Sequence, residues 1–112
     1  MADIKNLTQK DFEFLNELEE LLYDRKKEMP EGSYTTSMYK KGLDKIAQKV
    51  GEEAVETVIA SKNEKNSETV AEAADLLFHL MLLLAEKDIP LHNVIKKLRK
   101  RHGKGNHKHI GE

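Results

Sequence analysis

Cysteine and tryptophan are absent from this 112-residue chain, proline occurs only twice, and aromatic residues make up just 5% of it. Without cysteine there can be neither disulfides nor thiolate metal sites, and nothing calls for an oxidising compartment. Scarce aromatics beside 35% charged residues argue against a β-sandwich and for helices with charged outer faces. Long hydrophobic runs are also missing: the longest uncharged run, Leu76 to Ala85, is about half of the ~20 residues needed to cross a bilayer. The opening segment, MADIKNLTQKDFEF, has no apolar run of the kind a secretory leader carries. The expected location is therefore the cytoplasm, away from membranes. Neither charge sign dominates, and a net charge of −1 argues against a generally nucleic-acid-seeking surface.

What is present is helical periodicity. Phe12, Leu15, Leu18, Leu21 and Leu22 recur at helical spacing between Asp11 and about Glu28, with Glu17, Glu19 and Glu20 between them. Pro30-Glu31-Gly32-Ser33 ends that helix, since proline disfavours helical geometry in the residue before it. The polar stretch Tyr34 to Tyr39 reads as a loop leading into a short helical turn that ends at Gly42. A second long helix is expected from Leu43 to about Ala60, with Leu43, Ile46, Ala47, Val50, Ala54 and Val58 on one face and Val55 and Ile59 on another. A third is expected from Glu68 to about Lys87 with Ser67 as N-cap. It is apolar around most of its circumference, so it should be buried nearly all round, in the middle of a bundle or a dimer. After Asp88-Ile89-Pro90, a final helix to about Arg101 carries Leu91, Val94, Ile95 and Leu98 on its apolar face. The reading is an all-α bundle of four to five helices over residues 1–102, its core completed by dimerisation, with 103–112 as a flexible tail.

The polar residues that break this apolar pattern are mostly acids. On the second helix Lys45, Lys49, Glu52, Glu53 and Glu56 share one stripe roughly 100° wide. On the third, Glu68, Glu72, Asp75, His79 and Glu86 share a narrow stripe. Glu53 with Glu56 and Glu72 with Asp75 are each spaced three apart, so each helix offers a carboxylate pair. Taken alone, the first cluster could be a solvated face laced with ion pairs, and both together could form a salt-bridged core with the lysines. Carboxylates on so apolar a helix nevertheless need partners or a metal, and hard divalent cations prefer such oxygen ligands. Carboxylates on Mg²⁺ beside two lysines suit a polyphosphate and a phosphoanhydride hydrolysis. There is no Gly-rich P-loop.

The pattern Glu52-Glu53-x-x-Glu56 followed by Glu72-x-x-Asp75 resembles the signature of the all-α, MazG-like nucleoside triphosphate pyrophosphohydrolases. Within that superfamily, three segments resemble the phosphoribosyl-ATP pyrophosphohydrolases of histidine biosynthesis. They are Gly32-Ser33-Tyr34-Thr35, Lys45-Ile46-x-x-Lys49-Val50-Gly51-Glu52-Glu53-Ala54-Val55-Glu56, and Glu72-Ala-Ala-Asp75-Leu76-Leu77-Phe78-His79-Leu80. The similarity covers about Leu15 to Arg101.

That resemblance implies hydrolysis of 1-(5-phosphoribosyl)-ATP to the AMP form and pyrophosphate, with Mg²⁺ (Mn²⁺ as a substitute), in a homodimer or larger homo-oligomer. It implies Glu53, Glu56, Glu72 and Asp75 as metal ligands, and Glu52 as a further ligand or the group that positions the attacking water. Lys45 and Lys49 would contact phosphate oxygens, with Lys41 a further candidate. Ser33 and Tyr34 would hold the phosphoribosyl or adenine part, or else only pack the loop. His79 would orient a ligand carboxylate or be a satisfied core histidine. A house-cleaning pyrophosphatase acting on deoxynucleotides is the alternative within the superfamily. A nucleic-acid-binding module using Lys96, Lys97, Arg99, Lys100, Arg101, Lys104 and Lys108 is the alternative outside it, disfavoured because few aromatics accompany these charges. The spacing of His102, His107 and His109 does not define a metal site.

Overall fold

The computed structural model describes residues 4–103, which form five helices and, among these residues, no strand. They are α1 (Gln9–Glu28), α2 (Tyr34–Lys41), α3 (Leu43–Ala60), α4 (Asn66–Glu86) and α5 (Leu91–His102). The all-α bundle expected from the sequence is thus observed. Residues 104–112, most of the expected tail, lie outside the described residues.

Local chemistry sets the boundaries. Thr8 and Asp11 form a reciprocal capping box that starts α1, and Met29 ends it in a left-handed conformation (φ 51°). The segment from Tyr34, expected as a loop leading into a short helical turn that ends at Gly42, is helical from its first residue and does end at Gly42. Ser33 is its N-cap, its Oγ accepting from the Thr36 N–H at 3.3 Å, and Thr35, Thr36, Met38 and Tyr39 are buried. Capping and burial outweigh the weak helix propensity of Thr-Thr-Ser. Gly42 (φ 92°) ends α2 and begins α3 in one residue, a backbone that an L side chain would strain. Ser67 is not the N-cap of α4: the helix begins at Asn66 with Lys65 in the cap position.

α3 and α4 pack along each other as a hairpin, α1 lies on α4 and α2, and α2 packs on α3. Between them sits a small core of Leu22, Met38, Tyr39, Ile46, Met81, Leu82 and Ala85. Polar contacts from α1 fix the ends of the later helices. Lys26 Nζ donates to the carbonyls of Ala85 (3.1 Å) and Glu86 (2.9 Å) and to Asp88 Oδ1 (2.9 Å), satisfying the carboxyl end of α4. Glu19 Oε2 accepts from the Leu91 N–H at 2.6 Å, supplying α5 with a cap its own sequence lacks.

Tyr39 Oη donates to the Leu22 carbonyl at 2.7 Å, inside the core. Burial, reinforced by the charges of Glu86, Tyr23 and Asp88, pushes this phenol up to about 12. In the unfolded chain it ionises near pH ~10, so the folded state holds the proton more tightly. That contribution to stability is complete below the unfolded value and is lost as pH rises through the folded one. Tyr39→Phe is expected to lower stability at pH 7 by about 1 kcal/mol and to flatten its fall between pH ~10 and ~12. Urea midpoints of both proteins across that range check it.

Two expectations about burial fail in the single chain. α4 is not enclosed on all sides: His79, Met81, Leu82 and Ala85 are buried, but Val70, Leu77 and Leu80 are exposed by 67%, 45% and 37%. On α3, Ile46 is buried whereas Leu43, Ala47 and Val58 of the same expected core stripe are exposed. One chain supplies neighbours to only one side of the hairpin. Among the described residues, no helix is long and apolar enough to cross a membrane.

Candidate active site

The hairpin brings the acids of its two helices together. Glu53 is buried, Glu72 half-buried and Glu56 exposed, and each offers a carboxylate oxygen to a group whose atoms all lie within 4.8 Å of one another. The three residues come from one turn of α3 and the facing turn of α4, and both helices are held there by the core above them. Glu53 Oε2 and Glu72 Oε2 are buried and have no hydrogen-bond partner. A buried acceptor left unmade costs about 1–3 kcal/mol, more if charged, so these two atoms point to a ligand.

The charge balance makes the same demand. At about 4.8 Å and an effective dielectric of roughly 20, each pair of ionised carboxylates repels by about 3.5 kcal/mol. Among the described residues Lys49 alone answers it directly, its Nζ 3.4 Å from Glu53 Oε1 and 3.5 Å from Glu52 Oε1. Desolvation works against the Lys49 charge, but the hydrogen bond to Glu53 and the charges of Tyr34, Glu53 and Glu52 together hold its pKa above the ordinary lysine value. A single ammonium leaves three acids undercompensated. An all-oxygen donor set with buried, unpartnered lone pairs fits a hard divalent cation such as Mg²⁺ or Mn²⁺.

Glu52 stands on the solvent side of this group, exposed. Gln48 Nε2 donates to its Oε2 at 2.9 Å. That bond, followed by Lys49 and Lys45, outweighs desolvation and holds the Glu52 carboxyl below its ordinary value, so it is a carboxylate throughout the neutral range. Next to the triad, an open groove of about 390 Å³ is lined by Glu56, Ala60, Asn63, Glu68 and Glu72.

Asp75 is exposed and falls outside the close triad. Its backbone carbonyl is nevertheless engaged, 2.7 Å from His79 Nδ1. His79 is buried and meets no ligand carboxylate side chain: its Nε2 is 2.8 Å from Tyr34 Oη. The rings of Tyr34, Phe78 and His79 form one cluster, with His79 edge-on to both others. Burial raises the Tyr34 pKa, the charges of Glu53, Asp75 and Glu52 add to the rise, and Lys49 opposes it. This phenol therefore lies within the electrostatic reach of the acidic group.

Ser33 is occupied with capping α2 and with Arg25, whose Nη1 donates to it at 2.9 Å. Lys45 is half-buried one turn before Lys49, and Lys41 is exposed at the end of α2. The structure thus gathers Lys49, Glu52, Glu53, Glu56 and Glu72, with Tyr34 and Asp75 at the rim. It shows no contact linking Ser33 or Lys41 to that group. Sequence reasoning missed Gln48 and Arg25. Gln48 was legible as the residue four before Glu52, whereas Arg25 belongs to a distant helix and carried no local signal.

A family model for phosphoribosyl-ATP pyrophosphohydrolase matches residues 15–102. Among curated proteins, a phosphoribosyl-ATP pyrophosphatase of Listeria monocytogenes is 56% identical over 90 residues, which is 80% of this chain and 86% of that protein. One of Leptospira biflexa is 51% identical over 90 residues, 80% of this chain and 98% of its own length. A histidine biosynthesis bifunctional protein of Bacillus subtilis is 53% identical over 91 residues, 81% of this chain but 44% of that protein. The chain therefore spans less than half the length of the bifunctional relative and most of the length of the other two.

Proposed function

Because this chain belongs to the phosphoribosyl-ATP pyrophosphohydrolase family, we propose that it hydrolyses 1-(5-phosphoribosyl)-ATP to 1-(5-phosphoribosyl)-AMP and pyrophosphate, the second step of histidine biosynthesis. Water adds to phosphorus, the anhydride between the α- and β-phosphates breaks, and pyrophosphate leaves. The observation that supports the reading most is the pair of buried, partnerless oxygens of Glu53 and Glu72 beside the Lys49 ammonium. That is a site with acceptors to spare for a cation, next to a cation to spare for a phosphate.

Glu53, Glu56, Glu72 and, from the rim, Asp75 would hold Mg²⁺. When bound, the ion neutralises charge on the polyphosphate and screens it from the acids. The protein's own groups do the rest. Lys49 is braced by Glu52 and Glu53, so its ammonium is fixed in place to bind a phosphate oxygen, with Lys45 one turn away as a second contact. Glu52 is kept ionised by Gln48 and Lys49 and is exposed to solvent, which suits it to accept a proton or hydrogen bond from the attacking water. The assignments of Lys41 and Ser33 to substrate rest on the family resemblance alone. The working form is a homodimer in the cytoplasm, with the exposed apolar strips of α3 and α4 as its contact surface. No nucleic-acid partner is invoked.

The test is substrate comparison. Mg²⁺-dependent pyrophosphate release from phosphoribosyl-ATP should exceed that from each of a panel of deoxynucleoside triphosphates by at least about 100-fold in kcat/KM, about 3 kcal/mol of transition-state preference. Excess EDTA should abolish it. Faster turnover of any deoxynucleotide would move the protein to the house-cleaning branch of the superfamily.

A further inference from the structure

His79 is the one buried ionisable ring at the site, and both its nitrogens are committed. Nδ1 lies 2.7 Å from the Asp75 carbonyl, which can only accept, so Nδ1 carries the proton. In the neutral imidazole Nε2 is then an acceptor, and the Tyr34 hydroxyl 2.8 Å away must be its donor. The Tyr34 proton thus points inward. What the Tyr34 oxygen can offer outward is lone pairs.

Tyr34 is at the same time half-exposed, its ring packs beside those of Phe78 and His79, and the charges of Lys49, Glu53 and Asp75 act on it. An oxygen with its proton turned away is a poor partner for a phosphate, which also only accepts, and a good one for a group that donates. We propose that His79 is a positioning residue that turns the Tyr34 hydroxyl into an obligate hydrogen-bond acceptor, so that Tyr34 selects a donor on the ATP moiety of the substrate, a ribose hydroxyl or the exocyclic nitrogen of adenine. The inference rests on the proposed nucleotide hydrolysis. It adds a direction to the Tyr34 contact: Tyr34 reads the nucleoside and leaves the phosphates to the lysines.

Steady-state kinetics on phosphoribosyl-ATP with Mg²⁺ present test it. Tyr34→Phe is expected to raise KM about tenfold while kcat falls less than about threefold, as for loss of one ground-state hydrogen bond. His79→Leu frees the Tyr34 proton to turn outward and should raise KM similarly, whereas His79→Gln, whose amide oxygen can still accept, should restore most of it. In the Tyr34→Phe background His79→Leu should add less than about twofold, because the two residues act as one unit. A purely structural histidine would give multiplicative KM effects and no rescue by glutamine, and either result overturns the proposal. Analogues lacking both the 2′- and 3′-hydroxyls of the ATP ribose, or lacking the exocyclic nitrogen, separate the two sources. The one missing the donor should lose its sensitivity to Tyr34→Phe, and undiminished sensitivity with both overturns the assignment. Thermal midpoints of each variant separate misfolding from loss of the contact. Failure of the wild-type chain to hydrolyse phosphoribosyl-ATP would instead refute the proposed function.

Discussion

Replacing Glu53 by glutamine is expected to lower turnover of phosphoribosyl-ATP by roughly a thousandfold and, in metal-free buffer, to raise the thermal midpoint. The two effects have one cause. Glu53 is the most buried of the three clustered acids, and its Oε2 lies in the protein interior with no donor. Ionised, it repels Glu56 and Glu72 by about 3.5 kcal/mol each at ~4.8 Å and an effective dielectric of ~20, before screening. Glutamine removes that repulsion and keeps the shape. The opposing loss is the contact with Lys49, which is modest because Lys49 retains Glu52 at 3.5 Å and part of its solvation. A net gain of about 1–2 kcal/mol would shift the midpoint by on the order of 5 °C. Added Mg²⁺ should stabilise the wild type through linkage and the variant far less. Scanning calorimetry with EDTA and with Mg²⁺, run beside the activity assay, checks all of this. A variant that is equally active, or destabilised to the same extent in EDTA, would place Glu53 among ordinary core ion pairs.

This trade between fold and function explains which parts of the chain could be read in advance. Helices with a strong 3.6-residue pattern and clear stops were legible: the expected Leu43–Ala60 helix is α3 to the residue, and Pro30 and Pro90 mark real breaks. The failures lie where tertiary context decides. The stretch from Tyr34 to Tyr39 has loop-like composition and is a helix because Ser33 caps it and Tyr39 and Met38 are buried against α1 and α3. At the start of α4 Ser67 looks an ideal cap locally, yet the helix begins one residue before it, at Asn66, with Lys65 in the cap position.

The acids of the site were legible for a different reason. Helical spacing alone aligns Glu53 with Glu56 and Glu72 with Asp75, and an apolar helix has few uses for acids, so their meeting across the hairpin followed. Spacing does not tell which of the four draw closest. Glu53, Glu56 and Glu72 do; Asp75 stays at the rim, with its backbone carbonyl taken by His79. The partners reached from other helices, Arg25 on Ser33 and Tyr34 on His79, depend on how α1 and α2 dock, which no local pattern encodes.

Substituting arginine for Val58 is expected to dissociate the proposed homodimer into monomers of 12.8 kDa and to abolish most of the proposed hydrolysis. Val55, Val58 and Ile59 on α3 are each 58–60% exposed, and on α4, the other helix of the hairpin, Val70 and Leu77 are 67% and 45% exposed. Five or more large apolar side chains facing water on two packed helices exceed what an isolated chain ordinarily leaves uncovered. On α3 this strip lies on the side away from buried Ile46, Glu53 and Ala60, so the helix is apolar toward its own core and again toward the outside. In the homodimer we propose, a second copy of the same hairpin would supply the matching surface by two-fold symmetry and would cover the exposed apolar side of α4. Burying each valine or isoleucine contributes about 1.5–3 kcal/mol, whereas an arginine there would set two like charges against each other across the symmetry axis. Activity should fall with the dimer because the acidic triad lies on the same two helices as the strip, so separating the copies loosens the hairpin that holds it. Sedimentation equilibrium should give twice the chain mass for the wild type and the single-chain mass for Val58→Arg. A wild type that sediments as a monomer at micromolar concentration while fully active would show that one hairpin suffices for catalysis.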